Sequence, residues 1–246
     1  LANLPSSVHL ILITRSDPPL PLARMQARNE LNALRVDDLR ISLKEAEVLI
    51  QQRISTPLPM DAFKHLLDRT EGWIAGLHLA MLALQQRESP FEIQRFLDTF
   101  TGSLRPIQEY LVNEVFDAQP EYVQEFLLRT SILGRLTASL CDEVTGRDNS
   151  AVLLDQLERD NLFLIPLDAG GQWYRFHALF SESMQQYARQ RLGEAQLLEL
   201  RRKASLWYEK HSLLSEAVEA ALASLDQHRA AVAAASVPSG PCGKAG

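Results

Sequence analysis

Apolar residues recur at helical spacing along most of this chain. A side chain that returns every three or four residues lines one face of a helix and can be buried there. The pattern predicts a short helix over residues 23–31. It then predicts longer helices over residues 43–53, 60–69, 73–84, 91–100, 107–116, 121–130, 139–145, 150–159, 197–211 and 214–225, with another beginning at Leu179.

Strand patterns are few. Residues 8–13 are almost continuously apolar, which is typical of a strand buried on both faces of a parallel sheet, and residues 34–41 alternate as an edge strand does. Residues 162–175 carry branched and aromatic side chains on both sides of Asp168-Ala169-Gly170-Gly171, which predicts a β-hairpin. Three helices followed by this hairpin have the order of a winged helix, with the hairpin as its wing.

Local signals suggest where the domains meet. Ser42 and Glu45 form a capping-box pattern that marks a helix start, and residues 196–235 interleave small and large apolar side chains loosely as a tetratricopeptide-like pair does. We therefore predict a mainly α protein in five parts. They are the C-terminal edge of a P-loop α/β domain (1–41), a helical domain (42–105), a winged helix (106–195), the first pair of a tetratricopeptide-like solenoid (196–235) and a disordered or foreign tail (236–246).

Three positions could reach a ligand. Arg15 follows the predicted strand at the sheet edge where α/β proteins bind ligands, although a solvated loop arginine is equally consistent. Gly76 belongs to a small-residue face that could meet a neighbouring helix or a flat ligand. His177 stands where the hairpin hands over to a helix, so it could reach a ligand on a neighbouring domain, or it could simply pack or cap the helix.

Composition narrows the class of protein. The chain is 46% hydrophobic and 23% charged, as globular domains are, and its net charge of -6 without a lysine- or arginine-rich run gives no footprint for nucleic acid. Its predicted third winged-helix segment is itself acidic, which argues against reading a DNA groove. Cys141 and Cys242 match no disulfide or metal-ligand spacing, so we expect a cytoplasmic protein. No apolar run is long enough for a membrane span.

Several separated blocks resemble one family, the MalT-like large ATP-binding (LAL) transcriptional regulators of the LuxR type, which belong to the STAND class of P-loop NTPases. The resemblance covers roughly residues 4–231. The blocks that carry it, in the order of the family, are ITRSDPPLPLARMQARNEL, TEGWIAGLHLAMLAL, VQEFLLRTSILGRLTASLCDEVTG, LERDNLFLIPLD and WYRFHALF.

The resemblance implies a nucleotide site with ATP or ADP, and magnesium in the parent protein. Arg15 would be the arginine that reads the terminal phosphate, and Gly76 and His78 lie where related proteins have a Gly-x-Pro element beneath adenine. His177 lies where related immune receptors have the histidine of a Met-His-Asp motif, which contacts the ADP β-phosphate. Here His78 replaces the proline and Ala178 replaces the aspartate, which weakens both analogies.

The resemblance also implies what the parent protein does. ADP would hold the winged helix closed, whereas ATP and a small-molecule or protein inducer on the solenoid would release it for self-association and transcription activation. The chain has no G-x-x-x-x-G-K-[ST] loop and no C-terminal helix-turn-helix. We therefore expect a central fragment that by itself is no enzyme, although the family are slow signalling ATPases. It should not bind nucleotide tightly, and DNA would be reached only through the missing helix-turn-helix.

Two other classes remain open. An enzyme is disfavoured because the six histidines form no metal pair at helical spacing and no nucleophile motif occurs. A nucleotide-independent helical adaptor is the stronger alternative, because the phosphate loop is absent. If residues 8–13 are a strand without its sheet, the purified chain should aggregate or bind hydrophobic dye.

Overall fold

The computed structural model describes residues 8–14, 17–53, 60–87 and 89–224. Helices dominate these residues, as predicted. They are α1 (Leu22–Ala27), α2 (Leu43–Arg53), α3 (Met60–Thr70), α4 (Ile74–Leu84), α5 (Pro90–Asp98), α6 (Arg105–Tyr110), α7 (Glu121–Thr130), α8 (Ala138–Thr145), α9 (Ser150–Arg159), α10 (Ala178–Leu192), α11 (Glu194–Lys210) and α12 (Leu214–Ala223). The strands are β1 (Leu164–Pro166) and β2 (Tyr174–Phe176).

We call helices α2–α5 the helical layer. Two of these helices, α2 and α5, begin at capping boxes. The predicted capping box is present before α2, where the Ser42 amide donates to Glu45 Oε2 at 2.9 Å. A second box, not predicted, opens α5 with Ser89 and Glu92. Each box satisfies amides that have no partner inside the helix. Helix α3 packs on α2, α4 and α5 around a buried apolar core that includes Ile50, Phe63, Leu66, Leu77, Leu84 and Phe96.

The helix after this layer changes its winding. The pattern predicts one helix over residues 107–116, but the chain begins α6 at Arg105 and becomes π-helical over Leu111–Phe116. The Asp117 amide accordingly donates to the Val112 carbonyl at 2.8 Å. Wider π-helical turns commonly mark a functional or strained segment. Here the segment joins the helical layer to the elements that follow.

Helices α7, α8 and α9 followed by β1 and β2 form the predicted winged helix. The strands are antiparallel, with Leu164 opposite Phe176 and Pro166 opposite Tyr174. Leu136, between α7 and α8, pairs with the other edge of β2 through two bonds to Tyr174 of 2.8 and 2.9 Å. The central position of β2 in this small sheet was not predicted, since a single bridging residue leaves no periodic signal.

The last two helices pack beside the winged helix. Helix α11 contacts α8, α10 and α12, and the Ser205 hydroxyl donates to the Ala217 carbonyl at 2.9 Å between the two helices of the pair. Buried Ala204 and Ala217 allow this close approach. In the described part of the chain, no helix is both long and apolar enough to cross a membrane. The division into the five predicted parts stays a prediction.

Both predictions of strands near the start of the chain are wrong. Residues 8–13 form no strand, and Ile11 and Ile13 are 83% and 95% exposed. Residues 34–41 contain a 3₁₀ turn, Asp37–Leu39, instead of an edge strand. An isolated strand cannot pair its backbone groups, and neither segment lies beside a strand among the described residues. Apolar composition therefore did not produce burial.

Candidate functional site at the junction of the helical layer and the winged helix

The predicted site residues lie in different surroundings. Arg15 falls outside the described residues. Gly76 and His78 lie near the start of α4, where Gly76 is buried and His78 is exposed. His177 is only 5% exposed and lies between β2 and α10, facing the helical layer. The site is therefore built around His177.

Both ring nitrogens of His177 have partners within the chain. The Leu179 amide donates to Nδ1 at 3.2 Å, so the side chain caps α10 as one of our two interpretations expected. Nε2 lies 2.8 Å from the Thr70 carbonyl oxygen, which can only accept a hydrogen bond. Nε2 must therefore carry the proton, and the ring is a neutral imidazole that joins the winged helix to the end of α3.

Burial lowers the pKa of His177, and the neighbouring guanidinium groups of Arg175 and Arg40 act in the same direction. The Glu71 carboxylate and the Thr70 carbonyl oppose this change without reversing it. The neutral form required by the hydrogen bonds is thus also the form favoured by the electrostatic surroundings. Protonation at Nδ1 would break the bond from Leu179.

Glu71 is the main anionic group at the junction. It follows α3 and reaches the winged helix, where Arg175 donates to both of its carboxylate oxygens at 2.8 and 2.9 Å. The Ala178 amide, in the first turn of α10, donates to Oε1 at 2.9 Å. A carboxylate at a helix start is stabilised by free amides and by the helix dipole. Burial by itself raises the pKa of Glu71, but the bonds from Arg175 and Ala178 outweigh burial and hold it below its usual value.

The backbone of Glu71 adopts an uncommon conformation at this contact. Its φ is 49°, in the left-handed region that few non-glycine residues adopt, and Gly72 follows with a φ of 75°. Arg40, before α2, donates to the Glu71 carbonyl oxygen at 2.9 Å. These bonds hold a turn that would otherwise be unfavourable, and they direct the Glu71 side chain towards β2 and α10.

A second polar bridge joins the same two parts. Arg69 donates to both carboxylate oxygens of Glu182, on α10, at 2.7 and 2.8 Å. The Gly102 amide also donates to Glu182, at 2.7 Å. The backbone of Gly102 lies so close to α10 that a Cβ there would be 1.9 Å from the Leu179 carbonyl oxygen. Only glycine permits this approach.

Trp73 fills the space beside His177. Its ring centroid lies 5.1 Å from that of Phe163 and 6.0 Å from that of His177, in edge-to-face arrangements. The same indole covers Gly76, where a Cβ would be 2.5 Å from Trp73 Cε3. The small residue at 76 therefore accommodates an indole of its own helix start. Gly76 and His177 meet the same ring, while His78 stays on the exposed face of α4.

Comparison with known proteins gives the family of this region. Residues 112–196 match the model of the MalT winged helix domain. These residues form a winged helix similar to that of MalT. The chain as a whole is also 32% identical over 227 residues to the HTH-type transcriptional regulator MalT of Yersinia enterocolitica serotype O:8 / biotype 1B, and equally to those of Yersinia pestis (strain Pestoides F) and Yersinia pseudotuberculosis serotype O:1b.

These alignments cover 92% of the chain and 25% of each relative. The chain thus spans about a quarter of the length of the curated MalT regulators that it matches, and it is a MalT-like sequence. The winged helix of this chain contributes Arg175, His177 and Glu182 to the junction. Thr70 and Glu71 lie before the matched domain, in the stretch that the resemblance to whole MalT regulators also covers.

The acidic helix of the MalT winged helix matches the sequence expectation. In α9, Asp155 is exposed and pairs with Arg159, and Glu158 accepts a bond from the Tyr174 hydroxyl at 3.0 Å. Burial, together with the Glu158 carboxylate, raises the pKa of Tyr174 to about 12, so this hydroxyl stays protonated. A helix with this charge repels phosphates, and the basic side chain it carries is already paired.

The described residues do not favour a metal site or a reactive cysteine. Among the described residues, no three His, Cys, Asp or Glu side chains come close enough to hold a metal ion. Cys141 is buried in α8, and burial raises the pKa of its thiol well above the usual range. A buried protonated thiol is a poor nucleophile and a poor ligand.

Sequence reasoning identified His177 but missed most of its neighbours. Residues 70–72 fell in the gap between the predicted helices over residues 60–69 and 73–84, and Arg175 was predicted only as part of the wing. Glu71 lies 104 residues before Arg175, and His177 lies 107 residues after Thr70. The available signal was weak: an acidic residue directly before a glycine, at a helix end where the helix dipole disfavours it.

Proposed function

We propose that this chain is part of a MalT-like transcriptional regulator in which the winged helix senses bound ADP or ATP and couples the nucleotide state to self-association. Support comes from the similarity to MalT regulators over 92% of the chain. The observation that carries the finer proposal is the position of His177, buried at the junction and bonded to a backbone carbonyl of the neighbouring helical layer.

The chemistry of His177 suits a phosphate sensor. A neutral imidazole with its proton on Nε2 can donate to a phosphate oxygen as well as to a carbonyl. In this conformation the Nε2 proton is hydrogen-bonded to the Thr70 carbonyl oxygen. His177 can therefore donate this bond to Thr70 or to a phosphate, but not to both at once. In the ADP-bound protein, His177 would exchange the Thr70 carbonyl for the β-phosphate, so the nucleotide would change the partner that holds the winged helix. A change in the nucleotide would thereby become a change in domain position.

Arg15, Gly76 and His78 remain proposed nucleotide contacts of lower weight. Gly76 is covered by the Trp73 indole, so an adenine there requires the indole to move. His78 is exposed at the start of α4 and can approach a base only from outside the helical layer. When bound, the nucleotide would present its negatively charged phosphates to Arg15 and its adenine to Gly76 and His78; in the parent protein a magnesium ion would accompany the phosphates.

The remaining parts of the proposal rest on the family resemblance described in the sequence analysis. We propose that an inducer acts on the helical pair α11–α12 and its continuation, that the activated regulator self-associates, and that DNA is bound by a helix-turn-helix elsewhere in the protein. The acidic α9 helix supports this division, because it leaves the winged helix free for signalling instead of for reading DNA.

The first test is the coding sequence upstream of this chain, read in frame. We expect a phosphate loop followed by a strand that ends in acidic residues. A protein that includes this loop should then bind ADP, and His177→Ala should weaken binding about tenfold, as expected for loss of one charge-assisted hydrogen bond. The control is His211→Ala, because His211 stacks on Trp207 instead of lying at the junction. Equal ADP affinity in all three proteins would contradict nucleotide sensing by His177.

A second candidate is a helical adaptor without nucleotide dependence. One observation favours it: both nitrogens of His177 and the adjacent Ala178 amide are already bonded within the chain. The same experiments separate the two candidates. An upstream sequence without a phosphate loop, or a complete protein whose self-association is unchanged by ADP and ATP, would favour the adaptor.

A further inference from the structure

We propose that Glu71 is a latch that holds the winged helix against the helical layer, and that releasing this single carboxylate lets the winged helix move without unfolding either part. This inference goes beyond nucleotide sensing. It concerns a contact between two parts of the chain, and it stands whether or not a nucleotide is ever bound.

The first step is the convergence of bonds on Glu71. Its carboxylate receives the guanidinium of Arg175 from β2 and the amide of Ala178 from α10, while Arg40 secures its carbonyl oxygen from the helical-layer side. The side chain is only 13% exposed, so water competes poorly for these bonds. Charge-assisted bonds of this kind are among the stronger polar contacts in proteins.

The second step is the turn that presents Glu71. A φ of 49° is unfavourable for a residue with a side chain, and the bonds to Arg175, Ala178 and Arg40 compensate for it. When the carboxylate is released, the turn loses the bonds from Arg175 and Ala178, keeps only that from Arg40, and can relax. Strain of this kind favours two discrete states over a gradual loosening.

The third step is the connection between the two parts. After Gly102 the chain enters α6 and then the π-helical segment Leu111–Phe116, which leads into the winged helix. A π-helical turn can return to α-helical winding by shifting its hydrogen bonds by one residue. The connection can therefore absorb a rotation by changing its winding, while buried Leu111 and Phe116 keep it packed on α10.

The charges around Glu71 make it the centre of the contact. Arg175 faces it from the winged helix, His177 lies beside it as a neutral ring, and Arg40 faces it from the helical layer. Another ion pair across the junction, Arg69 with Glu182, has the more exposed carboxylate: Glu182 is 31% exposed and Glu71 13%, although Arg175 at 36% is more exposed than Arg69 at 27%. Solvent screens the more exposed carboxylate more strongly. We therefore assign the latch to Glu71 instead of Glu182.

The test measures the distance between the two parts in the 246-residue chain. Spin labels are attached at Gln52→Cys on α2 and Ala151→Cys on α9, both exposed positions, in a Cys242→Ser background. Cys141 stays unlabelled because it is buried. We expect one narrow distance distribution in this background, and an added second, displaced population after Glu71→Gln.

The matched control is Glu125→Gln. Glu125 also binds two arginines, Arg129 and Arg147, but all three residues belong to the winged helix. This variant should keep the narrow distribution. A distribution that broadens equally for both variants would show general loosening, and one that stays narrow for Glu71→Gln would overturn the latch.

Two further measurements keep the result decisive if Glu71→Gln folds poorly. Arg175→Gln removes the partner of Glu71 without changing the sequence of the turn, and we expect about tenfold faster hydrogen exchange at the Ala178 amide, because opening exposes it. Arg175→Lys keeps a positive charge beside Glu71, so it should give a smaller displaced population than Arg175→Gln. Unchanged exchange at Ala178, or equal displaced populations in the two Arg175 variants, would contradict the latch.

These results are separate from nucleotide sensing. All distances and exchange rates are measured without nucleotide, whereas nucleotide sensing is tested by ADP affinity in a protein with a phosphate loop. A latch without ADP dependence would leave this inference intact and remove the proposed function. ADP dependence with an unchanged distance distribution would support the proposed function and overturn the latch.

Discussion

The MalT-type winged helix meets its two neighbours through different chemistry. Towards the helical layer, the contacts combine three polar bridges, Glu71 with Arg175, His177 with Thr70, and Arg69 with Glu182, with the packing of Trp73 on Phe163. Towards α11 they are apolar. Helix α11 packs on α8, and Trp207 meets Trp173 of the wing at a ring distance of 6.4 Å. We call these the polar junction and the apolar junction.

The difference separates a contact that can be switched from one that is permanent. Hydrogen-bonded charges depend on protonation and can exchange a protein partner for a ligand or water. Buried aromatic surface has no such alternative partner, and its loss costs free energy under all conditions of pH and salt. We therefore expect the winged helix and α11 to move together, and the helical layer to move relative to both.

The largest effect should come from the apolar junction. Trp207 is buried, stacks on His211 and contacts Trp173. Trp207→Ala should lower the free energy of unfolding by about 3 kcal/mol, the lower range for truncating a buried tryptophan. Denaturant unfolding at low and high salt measures it. The loss should be the same at both salt concentrations, and a loss that disappears in high salt would contradict the apolar assignment.

The second-largest effect should come from a steric change at the polar junction. Gly102→Ala places a Cβ against the Leu179 carbonyl, so the helical layer and α10 must separate. We expect a loss of about 2 kcal/mol in unfolding free energy, typical of overpacking at a close contact. The matched control is Gly134→Ala, where a Cβ meets nothing within 4 Å. Equal stability of the two variants would show that the close approach of Gly102 to α10 is not required.

Acid should weaken the polar junction alone, with a smaller effect. Burial lowers the pKa of His177 in the folded chain, so between that pKa and the unfolded value near 6.5 the unfolded chain binds more protons. Stability is therefore full above this range and is lost as the pH falls through it. Glu71, whose folded pKa is also lowered, adds a second loss below about pH 4.5.

The measurement is unfolding free energy against pH for the original chain and for His177→Asn. Asparagine keeps an acceptor for the Leu179 amide but does not titrate in this range. As the pH falls from about 7 to about 5, the original chain should lose stability relative to His177→Asn, so the difference between the two curves should grow. Parallel curves would show that His177 does not link protonation to stability.

The smallest effect should come from a change that leaves both junctions intact. Ser42→Ala removes the hydroxyl of the capping box before α2, which costs about 1 kcal/mol in typical helices. We expect this loss in thermal or denaturant unfolding, with hydrogen exchange at the Ala178 amide unchanged. A change in exchange at Ala178 would mean that the start of α2 is coupled to the polar junction.

Helix boundaries were the most predictable feature of the chain. The predicted helices over residues 43–53, 121–130 and 150–159 have the observed bounds, because apolar spacing and local caps act within a few residues. The wing was predictable for the same reason, since Gly171 adopts a φ of 59° in a turn between two short strands. The winding change at Leu111 left no such local signal.

The segment at residues 8–13 shows the limit of this reasoning. Its apolar run is as strong as that of any helix in the chain, yet its side chains are exposed and it forms no strand. Hydrophobicity states only that burial is favourable, and burial also needs a partner surface. The winged helix supplies one for Phe163, which stacks on Phe180, and the described residues supply none for Ile13.

The sequence by itself determined that this chain is mainly helical, where most helices begin and end, that a hairpin completes a winged helix, and that His177 stands at the turn into α10. Only the tertiary structure decided which groups His177 and Arg175 meet. Those partners, Thr70 and Glu71, come from a helix end more than a hundred residues away in the chain. Local patterns report periodicity and capping, whereas a long-range hydrogen bond depends on how separately formed helices pack.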